Sequence, residues 1–183
     1  MAEENRKFRV ISGGQTGVDR AALDAARAAG LAIGGWCPKG RRAEDGEIDG
    51  IYPLRETASA DPDERTAANI AEADATLIIV ADPDPAGWGP GTRLTHRIAI
   101  AGAKPYFVIC LREGGRDGRR EGGREGGREH EPGRDEEIPL ASARAFIAAM
   151  RPRVLNIAGP RESGAPGIYA RTRAFLARLF AAL

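Results

Sequence analysis

The chain has 183 residues, of which 42% are apolar, enough for one ordinary domain with a continuous core. Lys+Arg 27 against Asp+Glu 26 leaves a net charge of +1, which excludes a global field toward nucleic acid or an anionic membrane, so any anion site must be local. No stretch approaches the roughly 20 apolar residues of a membrane span, and the opening MAEENRKFRV has no signal-like apolar run, so a soluble, cytoplasmic protein is expected. Cys37 and Cys110 form no CxxC pattern, and His96 and His130 are far apart; neither a disulfide framework nor a structural metal is expected.

In chain order, short β-type runs alternate with longer helical stretches, which predicts an α/β chain with a mostly parallel sheet. Phe8-Arg9-Val10-Ile11 reads as a first strand, and residues 18–29 as an alanine-rich helix closed by Gly30 in the left-handed conformation. Residues 31–33 read as a short strand, and residues 64–73 as a helix capped by Asp61 or Asp63. Thr76-Leu77-Ile78-Ile79-Val80 is an unbroken apolar run, as expected of a strand covered on both faces. A helix over 92–101 and a strand over 105–111 follow. A helix over 140–150, a strand over 154–157 and an amphipathic helix over 168–183, with Leu176, Leu179, Phe180 and Leu183 on one stripe, complete about five strands and five helices. Residues 112–137 comprise 7 Arg, 9 Asp/Glu, 8 Gly, one His and one Pro. Such a segment cannot offset its ordering entropy by burial and is expected to be a disordered or loosely helical insertion on the surface.

Three glycine-rich loops each follow a predicted strand and lead toward a helix: Ser12-Gly13-Gly14-Gln15-Thr16-Gly17-Val18-Asp19, Gly87-Trp88-Gly89-Pro90-Gly91-Thr92 and Ala158-Gly159-Pro160-Arg161-Glu162-Ser163-Gly164. In a parallel sheet such loops share the carboxyl edge and converge on one crevice. Glycine allows backbone N–H groups to surround an anionic oxygen, and a helix N-terminus adds a favourable dipole. The long stretch over 34–57 adds Lys39, Arg41 and Arg42, a cationic cluster suited to phosphate or an oxo-metal anion, and Glu44, an acceptor for ligand N–H groups. Neither the G-x-G-x-x-G spacing nor a P-loop ending is present, and no nucleophile elbow or triad is evident. Asp19, Glu44, Glu56 and Glu162 are the carboxylates in these loops open to acid or base work.

The segments Ser12-Gly-Gly-Gln-Thr-Gly-Val-Asp-Arg-Ala-Ala-Leu-Asp24, Gly35-Trp-Cys-Pro-Lys-Gly-Arg-Arg-Ala-Glu-Asp45, Tyr52-Pro-Leu-Arg-Glu-Thr57 and Leu155-Asn-Ile-Ala-Gly-Pro-Arg-Glu-Ser163 resemble the molybdenum cofactor carrier family, circularly permuted YpsA-like proteins of the SLOG superfamily. The resemblance implies a Rossmann-like three-layer fold in a single domain over 1–183, interrupted by the charged insertion, and assembly as a homo-dimer or tetramer. It implies that molybdenum cofactor is the bound ligand, a pterin with a terminal phosphate and a dithiolene-held oxo-metal, with molybdoenzymes or cofactor-synthesis proteins as partners. The expected ligand contacts are Gly13, Gly14, Gln15, Thr16, Gly17 and Asp19; Lys39, Arg41, Arg42 and Glu44; Gly89, Gly91 and Thr92; and Asn156, Gly159, Arg161, Glu162 and Ser163. The alternative is a nucleotide-processing enzyme similar to the phosphoribohydrolases of the same superfamily, or a nucleotide-derivative sensor. Gly89-Pro90-Gly91-Thr92 is similar to the phosphoribohydrolase motif but is followed by Arg93, Leu94 and Thr95 instead of the expected glutamate.

Overall fold

The computed structural model describes residues 8–112 and 134–182. The main elements are β1 (Arg9–Ile11), α1 (Val18–Ala28), β2 (Ala32–Gly34), β3 (Trp36–Cys37), β4 (Arg42–Ala43), β5 (Gly46–Glu47), β6 (Arg55–Glu56), α2 (Pro62–Glu72), β7 (Ala75–Val80), α3 (Pro90–Ala101), β8 (Tyr106–Cys110), α4 (Arg134–Met150), β9 (Val154–Ala158) and α5 (Ile168–Phe180). Short 3₁₀ turns lie at Pro85–Gly87 and Glu162–Gly164.

Five strands form one sheet in the order β2-β1-β9-β7-β8, every pairing parallel. β9 comes last in the sequence yet lies at the centre, where it joins β1 to β7. If the chain is read as a circle in which α5 leads into β1, the strands take the doubly wound order 3-2-1-4-5 with β9 as the first. The topological switch point, where such sheets hold their ligands, is then the gap between β9 and β7.

Helices cover both faces, giving a three-layer α/β fold. One face of the sheet, with Val10, Leu77, Ile79, Leu155 and Ile157, packs with α1, α4 and α5 residues such as Ala22, Ile147, Ile168 and Leu176 into the main core. α2 and α3 pack on the other side, where Ile78, Val80 and Trp88 form a smaller cluster. β7 is buried at every position, which is why its sequence is continuously apolar rather than alternating. Gly30 follows α1 at φ +71°, and the Asp61 carboxylate caps α2 by accepting from the Asp63 amide at 2.9 Å.

The structure departs from the sequence expectation in two places. Residues 34–57 are not plain loop: β3 pairs parallel with β6 and β4 antiparallel with β5. A satellite core of Leu23, Cys37, Ile48, Tyr52 and Leu54 lies beneath them. Two-residue strands are too short to leave a periodic signal. α4 begins at Arg134, inside the stretch assigned to the charged insertion, and carries Pro139 in its interior; a proline lacks the amide that a helix interior uses, which is why the pattern pointed to a later start. The expectation of disorder over most of the insertion lies outside the described residues.

Gly159 holds the centre together, because a Cβ there would stand 2.3 Å from the Ile79 carbonyl oxygen and 2.7 Å from Val18 Cγ2. Backbone cannot yield cheaply, so Gly159→Ala should cost about 2 kcal/mol and lower Tm by about 4–8 °C in a chain of this size. Gly89→Ala is the control: Gly89 has φ −63° and nothing within 4 Å of its Cβ position, so its Tm should fall by less than that of Gly159→Ala, by no more than the small preference for Gly over Ala at a helix N-cap.

Candidate functional site

Helices α1, α3 and α5 all begin at the carboxyl edge of the sheet, and the first amides of any helix lack intrahelical acceptors. At α1 two of these amides are taken: Val18 N–H donates to Pro160 O at 3.2 Å and Arg20 N–H to Gln15 O at 3.0 Å. At α5 the Glu162 carboxylate accepts from Gly167 N–H at 2.5 Å and Tyr169 N–H at 3.0 Å, and Ile168 N–H donates to Ala165 O. α3 has no side-chain cap. Pro90 carries no amide hydrogen and Arg93 N–H donates to Gly89 O at 3.1 Å, which leaves the amides of Gly91 and Thr92 at an uncompensated helix N-terminus. Thr92 is 3% exposed, and its buried hydroxyl has no hydrogen-bond partner among the described residues. An unpaired buried hydroxyl costs free energy unless something occupies the space before it.

Thr92 lines a cleft of about 210 Å³ at the switch point. The end of β7 supplies Val80, Ala81 and Asp82, the turn into α3 supplies Gly87, Trp88, Gly89 and Thr92, and the loop after β9 supplies Pro160, Gly164 and Ala165. The glycines of the three loops divide in the same way. Added Cβ atoms would meet the Arg65 guanidinium at Gly13, Leu54 at Gly14 and the Pro160 carbonyl at Gly17, and Gly159 is closed by Ile79 O; Gly89 and Gly91 have nothing within 4 Å. Close packing accounts for the first four. The fold does not require the last two, and Gly91 inside a helix is less stable than Ala by roughly 0.5–1 kcal/mol.

The loop after β1 lies beside the cleft and does not line it. Thr16 donates its hydroxyl to Glu44 and accepts from Glu162 N–H at 3.2 Å, while the Gln15 side-chain carbonyl accepts from Thr16 N–H and Glu44 N–H at 3.0 and 2.9 Å. Glu44 also accepts from the backbone and hydroxyl of Ser163 and lies 3.9 Å from Arg161 Nε. It thus ties β4 to the loops after β1 and β9. Partial burial pushes its carboxyl up, but hydrogen bonds from Ser163 and Thr16 and the charge of Arg161 prevail and hold it below the usual glutamate range.

Arg41 stands apart from the cationic cluster in which the sequence placed it. At φ +51° it turns its guanidinium onto the carbonyls of Ile48, Asp49, Tyr52 and Leu54, at 2.9–3.2 Å. Lys39 and Arg42 are exposed, and Arg161 is half exposed. Asn156 is buried between β9 and β7, with its amide 3.4 Å from Thr76 Oγ1. Asp19 is buried and paired with Arg65 at 2.8 Å; burial pushes its carboxyl above the usual aspartate range against the pull of that arginine.

The comparisons bear on this geometry. The model of the circularly permutated YpsA SLOG family matches residues 10–120 and 130–180. The chain belongs to that family. It is also similar to the crystal structure, at 1.45 Å resolution, of the "Putative molybdenum carrier protein" of Syntrophus aciditrophicus SB, with a TM-score of 0.76 and 34% identity over 96% of this chain and 95% of that one. No curated protein matches it. Among the described residues, no helix is long and apolar enough to cross a membrane.

Sequence reasoning missed Asp82, Arg65 and the Arg20–Asp45 ion pair, whose arginine also donates to Gly14 O at 3.2 Å. Asp45 adjoins Glu44 inside a motif already singled out, and that adjacency was its available signal; Arg65 gave none. Because the folded state holds Glu44 ionised more strongly than an unfolded chain does, its contribution is present above the ordinary glutamate pKa and is lost as pH falls through the lowered value. The Tm difference between the parent protein and Glu44→Gln should therefore be constant above about pH 5.5 and should shrink on acidification below about pH 4.5; thermal melts from pH 3.5 to 7.5 measure it.

Proposed function

We propose that the protein binds and carries molybdenum cofactor, and that the anionic phosphate of that ligand sits at the N-terminus of α3. The observation that carries this reading is Thr92, which lines the switch-point cleft and whose buried hydroxyl has no partner among the described residues. A phosphate oxygen there accepts from that hydroxyl and from the amides of Gly91 and Thr92, with the helix dipole aligned to its charge. The open space over Gly89 and Gly91 lets it approach the backbone. Asp82, in the wall of the same cleft, is an acceptor for N–H groups on a pterin edge. Family membership and the name of the similar crystal structure support the choice of molybdenum cofactor as cargo.

Cleavage of a nucleotide through Glu162 or Glu44 fits the site less well. Both oxygens of Glu162 cap α5, and Glu44 holds three loops together, so these carboxylates already have structural work. A general acid or base must instead reach the proton it transfers.

Titration of the purified protein with molybdenum cofactor should give saturable binding. Thr92→Val, which keeps shape and removes the hydroxyl, should weaken it about tenfold or more, the range for a hydrogen bond to a charged group. Gly89→Ala should weaken it as well while lowering Tm by less than Gly159→Ala does. Failure of the parent protein to bind the cofactor, together with tight binding of a nucleoside monophosphate or release of its free base, would overturn the reading.

A further inference from the structure

The switch-point cleft, at about 210 Å³, is smaller than the roughly 300–1,000 Å³ typical of sites for organic ligands. A second cleft of about 340 Å³ lies against it, between the Pro85–Gly87 turn and the outer side of α3, and is lined by Pro85, Trp88, Pro90, Arg93, His96 and Arg97. Trp88 belongs to both walls, and Gly89 and Pro90, neighbours in sequence, face one cleft each. The ridge between the clefts is thus the backbone at Gly89, the position over which a Cβ would meet nothing.

The outer cleft has a defined character. Trp88 and His96 line it with their rings edge-on at 5.3 Å, and Tyr106 stands edge-on to His96 at 5.0 Å behind that wall, with the Trp88 indole fixed by donation to Asp82 O at 2.8 Å. Arg93 and Arg97 are one helical turn apart, so their side chains share a face. Arg93 is anchored through Nη1 to Trp88 O, which leaves its remaining donors free of that bond. Arg97 is exposed and has no partner among the described residues. No carboxylate lines this cleft. Two guanidinium groups beside an aromatic and proline lining suit an oxyanion attached to a planar or apolar group. Lys39, Arg42 and Arg161, the other loop cations, line neither cleft.

We infer that the outer cleft is a second anion subsite, in which Arg93 and Arg97 hold the far anionic group of a ligand whose first anionic group sits at Thr92 and whose body crosses the Gly89 ridge. The ligand class is a molecule with anionic groups at two ends. This rests on the reading of Thr92 as the first anchor, and the test separates the two.

Inorganic phosphate and a series of alkane bisphosphonates of graded chain length are the probes, the first able to fill one subsite and the longer members of the series able to span both. Arg97→Ala should weaken the tightest-binding bisphosphonate about tenfold and phosphate less than twofold. Thr92→Val should weaken both. Arg153→Ala, an exposed arginine at the opposite edge of the sheet, controls for net charge and should change neither. If Thr92→Val weakens both probes but Arg97→Ala affects no bisphosphonate of the series more than Arg153→Ala does, the second subsite is wrong and the first stands. If Thr92→Val affects neither probe, the anchor fails and the second subsite falls with it.

Discussion

How closely the loop after β9 can approach its neighbours determines everything else at the carboxyl edge. β1 and β7 do not pair with each other; each pairs only with β9 on that side, so the two halves of the sheet are joined by a strand that arrives last in the sequence. The joint is tight. Gly159 lies against the Ile79 carbonyl, and Gly17 against that of Pro160. A side chain at either position would push apart the strands whose pairing builds the sheet. The same approach brings Pro160 O to the Val18 amide and Glu162 N–H to the Thr16 hydroxyl. Contacts of such long sequence separation must await closure of the whole chain, which favours slow folding.

Closing that joint consumes most of the anion-binding capacity that a doubly wound sheet offers. At the N-terminus of α1 backbone carbonyls take the amides of Val18 and Arg20, at that of α5 a carboxylate takes those of Gly167 and Tyr169, and close packing occupies the space over Gly13, Gly14 and Gly17. α3 is different because its first turn starts from Gly89-Pro90-Gly91, which supplies no cap. With a net charge of +1, no long-range field gathers ligand, and binding depends on this short-range arrangement of dipole, amides and hydroxyl. The circular reading of the chain gives the geometry its logic: the uncapped N-terminus of α3 stands at the switch point between β9 and β7.

The parallel sheet, its helices and the glycine loops were legible in the sequence because apolar runs such as 76–80 and caps such as Asp61 are local signals. Residue roles were less so. Thr92 was selected with its loop, but its isolation is a property of three segments meeting in space. Glu162 looked like a ligand or an acid because nothing in its sequence neighbourhood announces that it caps a helix six residues onward. Arg41 looked like its neighbours Lys39 and Arg42, and only its positive φ turns it inward to serve four carbonyls. Cys37 carried no signal between buried residue and reactive thiol; it is fully buried, and burial pushes its thiol up, away from the reactive thiolate.

The central claim is that the anion site is the N-terminus of α3 and not that of α1. Amide NMR spectra recorded during titration with molybdenum cofactor test it directly, because each candidate terminus carries its own reporting N–H groups. The account predicts that the largest shifts fall on Gly91 and Thr92, with Gly14, Gly17 and Val18 nearly unmoved. Dominant shifts at Gly14, Thr16 and Val18, with Gly91 and Thr92 silent, would contradict it.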